Sequence, residues 1–204
     1  SALLESMQER QVTIGETSFN LDTPFLVLAT QNPIDQEGTY PLPEAQRDRF
    51  MMKLNVNYPS KEEELKIMQR MTNLNFNSNV KTILSKRDIS STQNEINKIS
   101  VSESIENYII EIVFATRKPS LVKLDELSNY ISFGASPRAS INLSLAAKAN
   151  AFFNNRDYVI PDDIKEIAYD VLNHRIILNY EAEAEGITSQ EIIKKILDRV
   201  EINS

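Results

Sequence analysis

A few side chains in this sequence stand where they could act on a phosphate. Asn32 closes the segment Thr30-Gln31-Asn32-Pro33, which follows the short apolar run Phe25-Leu-Val-Leu-Ala29. An amide at the end of a buried strand can hydrogen-bond a water or a phosphate oxygen. Asn before proline is also an ordinary way to start a loop. Arg47 and Arg49 flank Asp48 and precede Phe50. Arginine carries a permanent charge on a planar fork that suits phosphate oxygens, although Glu44 and Asp48 are close enough in sequence for plain surface ion pairs. Arg138 follows Ser136-Pro137, an N-cap and first-turn proline pair. The helix dipole disfavours a cation at that end. The placement therefore points either to an anion facing the helix start or to an exposed arginine that tolerates a small penalty.

Other chemistries are excluded or weak. Cysteine is absent and His174 is the only histidine, so thiolate and multi-histidine metal centres are ruled out. The four glycines, Gly15, Gly38, Gly134 and Gly186, lie too far apart for a G-x-x-x-x-G-K-[ST] phosphate loop or a G-x-G-x-x-G turn. Asp125-Glu126 has the form of a magnesium-holding strand end, but Lys123 interrupts the apolar run, and a helix start is the better reading. His174-Arg175 reads as a cationic helix end that complements the dipole. Glu181, Glu183 and Glu185 alternate with alanines and read as a solvated segment. The net charge of −7 argues against general nucleic-acid binding, and no apolar run is long enough for a membrane span.

The elements that must position these residues follow from periodicity. The opening Ser1-Ala-Leu-Leu-Glu-Ser-Met7 has apolar residues at helical spacing, as if a helix were already running in the middle of a domain. Residues 11–21 alternate around Gly15-Glu16 and predict a hairpin. Phe25–Ala29 predicts a strand buried on both faces. A loop over 33–43, a short helix starting near Pro43 and Glu44, and a last strand over Met51–Val56 complete this part. After Tyr58-Pro59 the pattern turns helical. Ser60 with Glu63 and Thr188 with Glu191 form capping boxes, and 73–79 is an Asn-rich loop. The spacing of Ile105, Tyr108, Ile109, Ile112 and Val113 predicts a strongly amphipathic helix. Further helices run from Ser136-Pro137 to about Phe153 and from Pro161, the latter with a stripe of Ile164, Ile167, Ala168, Val171 and Leu172. A last helix carries Ile192, Ile193, Ile196, Leu197 and Val200. The expected fold class is α/β. Residues 1–57 supply part of a sheet with too few strands to close alone, and 58–204 form an α-helical domain.

Taken together, the segment ALLESMQERQVTIGETSFNLDTPFLVLATQNPIDQEGTYPLPEAQRDRF resembles the second half of the ATPase core of MoxR-type AAA+ proteins. FGASPRAS, with RDYVIPDDI and VLNHRI after it, resembles the helical lid of that family. The likeness is strong over 1–56 and 130–186 and weak over 74–100. It implies the C-terminal part of an AAA+ P-loop NTPase core followed by an all-α lid. It implies Asn32 as the sensor 1 residue orienting the attacking water. Arg49 would be the arginine finger reaching a neighbouring subunit's ATP, and Arg138 the sensor 2 arginine of the lid, contacting phosphate. Residues 11–21 would be the pre-sensor 1 hairpin facing the ring interior. The implied activity is ATP hydrolysis with Mg2+, in a cytoplasmic, hexameric homo-oligomeric ring. Its partners would be von Willebrand factor A-domain proteins and client proteins, with no nucleic acid. The Walker A and Walker B segments that bind most of the ATP and Mg2+ are missing from this sequence, so the chain alone is expected to be inactive. Arg47, beside the proposed finger, could share its role. Two alternatives are a non-enzymatic helical interaction or oligomerisation module and a magnesium-chelatase-like AAA+ subunit.

Overall fold

The hairpin forms as its alternation requires. In the computed structural model, which describes residues 6–7, 9–31, 42–73 and 80–202, β1 (Gln11–Ile14) pairs antiparallel with β2 (Thr17–Asn20). Val12 lies opposite Phe19 and Ile14 opposite Thr17. Gly15 takes φ of +64° at the turn, a left-handed conformation that costs glycine little. Residues 6, 7 and 9 are helical, in line with the apolar spacing of the opening segment; residues 1–5, most of the 33–43 loop and 74–79 of the Asn-rich loop lie outside the described residues.

The two other expected strands do not form. Neither Phe25–Ala29 nor Met51–Val56 joins a sheet among the described residues, and Leu26 and Leu28 are 75% and 85% exposed where burial on both faces was expected. The reason is physical: a strand is held by a laddered neighbour and by cross-strand side chains, and no described strand pairs with either segment.

Short helices follow. α1 (Glu44–Arg47) starts after Pro43 with Glu44 at its positive end. α2 (Lys61–Met71) opens with the expected capping box, Ser60 N–H donating to Glu63 Oε2 at 2.8 Å. None of its residues is buried, so Leu65, Met68 and Met71 form an apolar face without cover among the described residues. The structure also has α3 (Lys86–Lys98), which apolar periodicity does not announce. Its signal is a second capping box, with Ser85 N–H donating to Asp88 Oδ2 at 2.8 Å.

The hydrophobic core belongs to the helices that come after. α4 (Glu103–Arg117) buries the predicted stripe from Ile105 to Val113. Two 3-10 turns, Pro119–Val122 and Asp125–Asn129, lead to β3 (Ile131–Phe133). Asp125-Glu126 therefore opens a helical turn, as read from the sequence. α5 (Pro137–Phe153) has Ser136 as its N-cap and Pro137 at its first position. α6 (Pro161–Leu172) buries Ile164, Ile167, Ala168, Val171 and Leu172. β4 (Ile177–Leu178) pairs antiparallel with β3, then α7 (Tyr180–Ala184) and α8 (Ser189–Arg199) close the chain. Each large apolar side chain buried in this way contributes roughly 1.5–3 kcal/mol.

One buried carboxylate fixes the start of α6. Asp163 accepts from Arg156 Nη2 at 2.5 Å and Nη1 at 2.7 Å, from Asn150 Nδ2 at 3.1 Å and from the Ile160 N–H at 2.9 Å. Burial alone would raise its pKa; the Arg156 guanidinium and the backbone donor outweigh that and hold it below the usual carboxylate range.

Gly134 sets how closely the loop before α5 can approach α4. A Cβ on Gly134 would sit 2.4 Å from the Thr116 carbonyl oxygen and 2.7 Å from the Arg117 amide nitrogen. Ala135 N–H donates to Thr116 Oγ1 at 2.9 Å, and Arg117 Nε donates to the Ala135 carbonyl at 2.6 Å. Gly134→Ala is therefore expected to destabilise the fold by about 1–3 kcal/mol or more, the cost of overpacking against backbone that cannot yield. Gly186→Ala is the control. Its φ is +71° with nothing near the added Cβ, so its cost is strain alone, roughly 1 kcal/mol. Thermal unfolding of both variants checks the order; equal losses would contradict it.

Candidate functional site

The site is built around the C-terminal end of α6. Beyond Leu172 the chain turns, and the Arg175 side chain passes into the protein with 0% of its surface exposed. A buried guanidinium must satisfy its donors or lose several kcal/mol. Arg175 satisfies all five. Nε donates to Asp48 Oδ1 at 3.0 Å, and Nη2 donates to the carbonyls of Asp48 at 3.0 Å and Phe50 at 2.6 Å. Nη1 donates to the Met51 carbonyl at 3.2 Å and to the Val171 carbonyl of its own helix. Burial pushes the Arg175 pKa below its usual range, against the opposing pull of Asp48. The dipole role read from the sequence for His174-Arg175 is thus corrected. Helix-end position explains the location of Arg175, but its side chain is spent on residues 48–51.

His174 works on the same segment. Its Nε2 lies 3.1 Å from the Phe50 carbonyl oxygen and donates to it, which fixes the neutral tautomer; Nδ1 is buried without a partner among the described residues. Burial, with the adjacent Arg175 charge, lowers its pKa from 6.5 to about 4. A backbone bond from Lys53 N–H to the Asp170 carbonyl at 2.9 Å extends the contact.

Asp48 is the shared anion. Besides Arg175 it accepts the Ser136 hydroxyl at 2.8 and 2.9 Å, and Arg138 Nη1 stands 3.8 Å from its Oδ2. The Ser136 oxygen in turn caps α5 by accepting the Arg138 N–H at 3.2 Å. The anion anticipated at the start of α5 is therefore present within the chain itself. Arg138 holds it loosely: its side chain remains 38% exposed.

The candidates read from the sequence fall as follows. Arg138 and the segment bearing Arg49 are brought together through Asp48. Arg47 lies 3.9 Å from Glu44, a long surface pair. The Nε of Arg47 is buried without a hydrogen-bond partner among the described residues, and Arg49 goes further, with both its Nε and its Nη1 so placed. Asn32 lies outside the described residues. Glu181, Glu183 and Glu185 are exposed, and Glu185 accepts the Tyr130 hydroxyl at 2.9 Å. The sequence reading missed Arg175 and the hub role of Asp48. A cation and an anion some 127 positions apart carry no local signal of pairing.

Comparison with known proteins now places the chain. Residues 1–52 match the family "ATPase family associated with various cellular activities (AAA)", and residues 126–196 match the AAA lid domain. The chaperone MoxR1 of Mycobacterium tuberculosis is 48% identical over 98% of this chain and 52% of its own length. The chain belongs to the MoxR-type AAA family. YeaC of Bacillus subtilis is 43% identical over 99% of this MoxR-type chain and 60% of its own. A crystal structure of a candidate ATPase from Cytophaga hutchinsonii superposes with a TM-score of 0.93 at 64% identity, covering 99% of this chain and 61% of that one. The MoxR-type chain thus pairs part of an AAA domain with an AAA lid. It spans about half to three-fifths of the length of these relatives. Among the described residues, no helix is long and apolar enough to cross a membrane.

The buried neutral His174 makes stability depend on pH. Above its ordinary value of 6.5 the ring is neutral in both folded and unfolded chains. Between 6.5 and about 4 the unfolded chain takes up a proton that the folded one refuses. Stability should therefore fall as pH drops through that window, by up to about 3 kcal/mol. His174→Gln should remove that part of the slope. Denaturant midpoints at pH 7 and pH 5 measure it; a slope unchanged in the variant would contradict the assignment.

Proposed function

We propose that this chain is the sensing and arginine-bearing part of an ATP-hydrolysing MoxR-type chaperone. The enzyme works as a hexameric ring and remodels client proteins together with von Willebrand factor A-domain partners. The observation that carries the reading is Arg49. Its Nε and Nη1 are buried without a hydrogen-bond partner among the described residues, on a segment whose backbone is fixed by hydrogen bonds. A buried cationic group left unsatisfied calls for an anion from elsewhere. The γ-phosphate of a neighbouring subunit's ATP meets that need.

The residues present fit the phosphate end of a nucleotide and not its cradle. In this reading Arg49 acts in trans, neutralising charge on the transferring phosphoryl group. Asn32 orients the attacking water, and Arg138, held only loosely by Asp48, contacts phosphate. Little covalent chemistry is required of the protein; the barrier falls through positioned charge. Magnesium, when bound with the nucleotide, would supply further neutralisation of the phosphates. The bare apolar side chains Leu26, Leu28, Leu54 and Val56 support the same view: they await the remaining strands of a sheet that the longer relatives have length to include.

Arg49→Ala in the full-length protein should lower turnover by about 10³–10⁵-fold while ATP still binds. Steady-state ATPase rates and a nucleotide-binding titration measure the two quantities; near-normal turnover would overturn the reading. Arg47→Ala is the companion variant and should change turnover less, because Glu44 lies 3.9 Å from its Nη2 and it has one buried unpartnered nitrogen among the described residues where Arg49 has two.

A second reading, a non-enzymatic helical oligomerisation module, draws support from one observation. Asp48 gives Arg138 a structural partner at 3.8 Å that needs no nucleotide. Arg138→Ala separates the two. Loss of ATP-dependent ring assembly, followed by light scattering, supports the ATPase; an unchanged response favours the module.

A further inference from the structure

We propose that Arg175 is a positioning residue for Arg49: it aims the hydrolysis-promoting arginine by pinning the backbone on both sides of it. The inference rests on the reading of Arg49 just given, and it assigns a role to a residue that does not itself touch nucleotide.

The geometry is specific. Nη2 of Arg175 donates to two carbonyls, those of Asp48 and Phe50, at 3.0 and 2.6 Å. These are the residues immediately before and after Arg49. Holding both carbonyls on one nitrogen fixes the arc of chain that carries the Arg49 Cα. The same guanidinium secures the next carbonyl, Met51, and the carboxylate of Asp48. Arg49 has no hydrogen-bond partner of its own at Nε or Nη1 among the described residues. A side chain without partners takes its direction from its backbone, and here that backbone is set by Arg175.

A plain structural ion pair would need only the Asp48 contact. Four of the five Arg175 hydrogen bonds go instead to backbone carbonyls, three of them on residues 48–51. A planar fork presents five donors in fixed directions; an ammonium keeps the charge but has three donors and loses the fork. His174, one residue earlier, donates to the same Phe50 carbonyl. The segment is therefore gripped from one side by two consecutive residues at the end of α6. Any movement of α6 is transmitted to Arg49.

The test uses the full-length protein and separates rate from binding. Arg175→Lys should lower kcat by about 10–100-fold, the scale of a misplacement near 1 Å, while Kd for a fluorescent ATP analogue stays unchanged. Arg49→Ala is measured alongside. If Arg49→Ala abolishes turnover and Arg175→Lys leaves kcat at the wild-type value, the positioning role is overturned and the Arg49 reading stands. If Arg49→Ala is itself near normal, the Arg49 reading fails and the inference fails with it. If Arg175→Lys loses nucleotide affinity in step with kcat, Arg175 serves the fold in general, and the inference is overturned. Should that variant not fold, the paired change Asp48→Leu with Arg175→Met replaces the buried ion pair by apolar groups, an exchange proteins often tolerate. It should unfold at close to the wild-type temperature and still lose at least about tenfold in kcat; unchanged kcat would overturn the proposal.

Discussion

A guanidinium sealed from water must find an acceptor for every N–H it carries, and in this protein that requirement falls on Arg175. Its five donors reach Asp48, Phe50, Met51 and Val171. Four of those contacts join the end of α6 to a segment about 125 positions earlier in the chain. Losing Asp48 would leave buried charge uncompensated, which costs far more than the pair itself contributes, and losing a carbonyl would leave a buried N–H without an acceptor. The arrangement is therefore closer to a registration device than to a source of stability. It dictates where residues 48–51 lie, and Met52 then packs against the helical core.

The same constraint sorts the arginines. One carboxylate, Asp48, is shared among a fully buried arginine, a serine hydroxyl and the half-exposed Arg138. Arg156 is consumed by Asp163 at the start of α6. Arg117 is bound to the Ala135 carbonyl, where Gly134 allows the loop to lie against α4. That loop delivers Ser136 and Arg138 to Asp48. What remains on the gripped segment without a partner among the described residues is Arg49. These structural arginines and Arg49 thus differ in hydrogen-bond satisfaction rather than in residue type.

Much of the helical part was legible because its signals are local. The stripe from Ile105 to Val113, the Ser136-Pro137 start and the Thr188–Glu191 box each predict an element from residues within a few positions. The strands at 25–29 and 51–56 failed because apolar content predicts a strand only if a neighbour exists to ladder with it, and pairing is not a local property. α3 escaped notice because its apolar face is sparse and only its Ser85–Asp88 cap marks it. The candidate site divides in the same way. Arg138 drew attention through an unfavourable helix-end position, and its partner proved to be an internal anion. Arg175 sat where a cation is favoured, so nothing in its surroundings in sequence hinted that it was buried. Asp48 looked like a local counter-ion for Arg47 and Arg49, whereas its contacts come from α5 and from beyond α6.

The central claim is that Arg49 serves a nucleotide bound by the adjacent subunit. Subunit complementation tests it most directly. One full-length variant carries Arg49→Ala with an intact nucleotide site; the other keeps Arg49 but has its phosphate-binding loop disabled. Each alone should be inactive. Mixed into common rings, they should recover ATPase activity, because some intact nucleotide sites then face an intact Arg49. Mixed rings that assemble and remain as inactive as the separate variants would contradict the account.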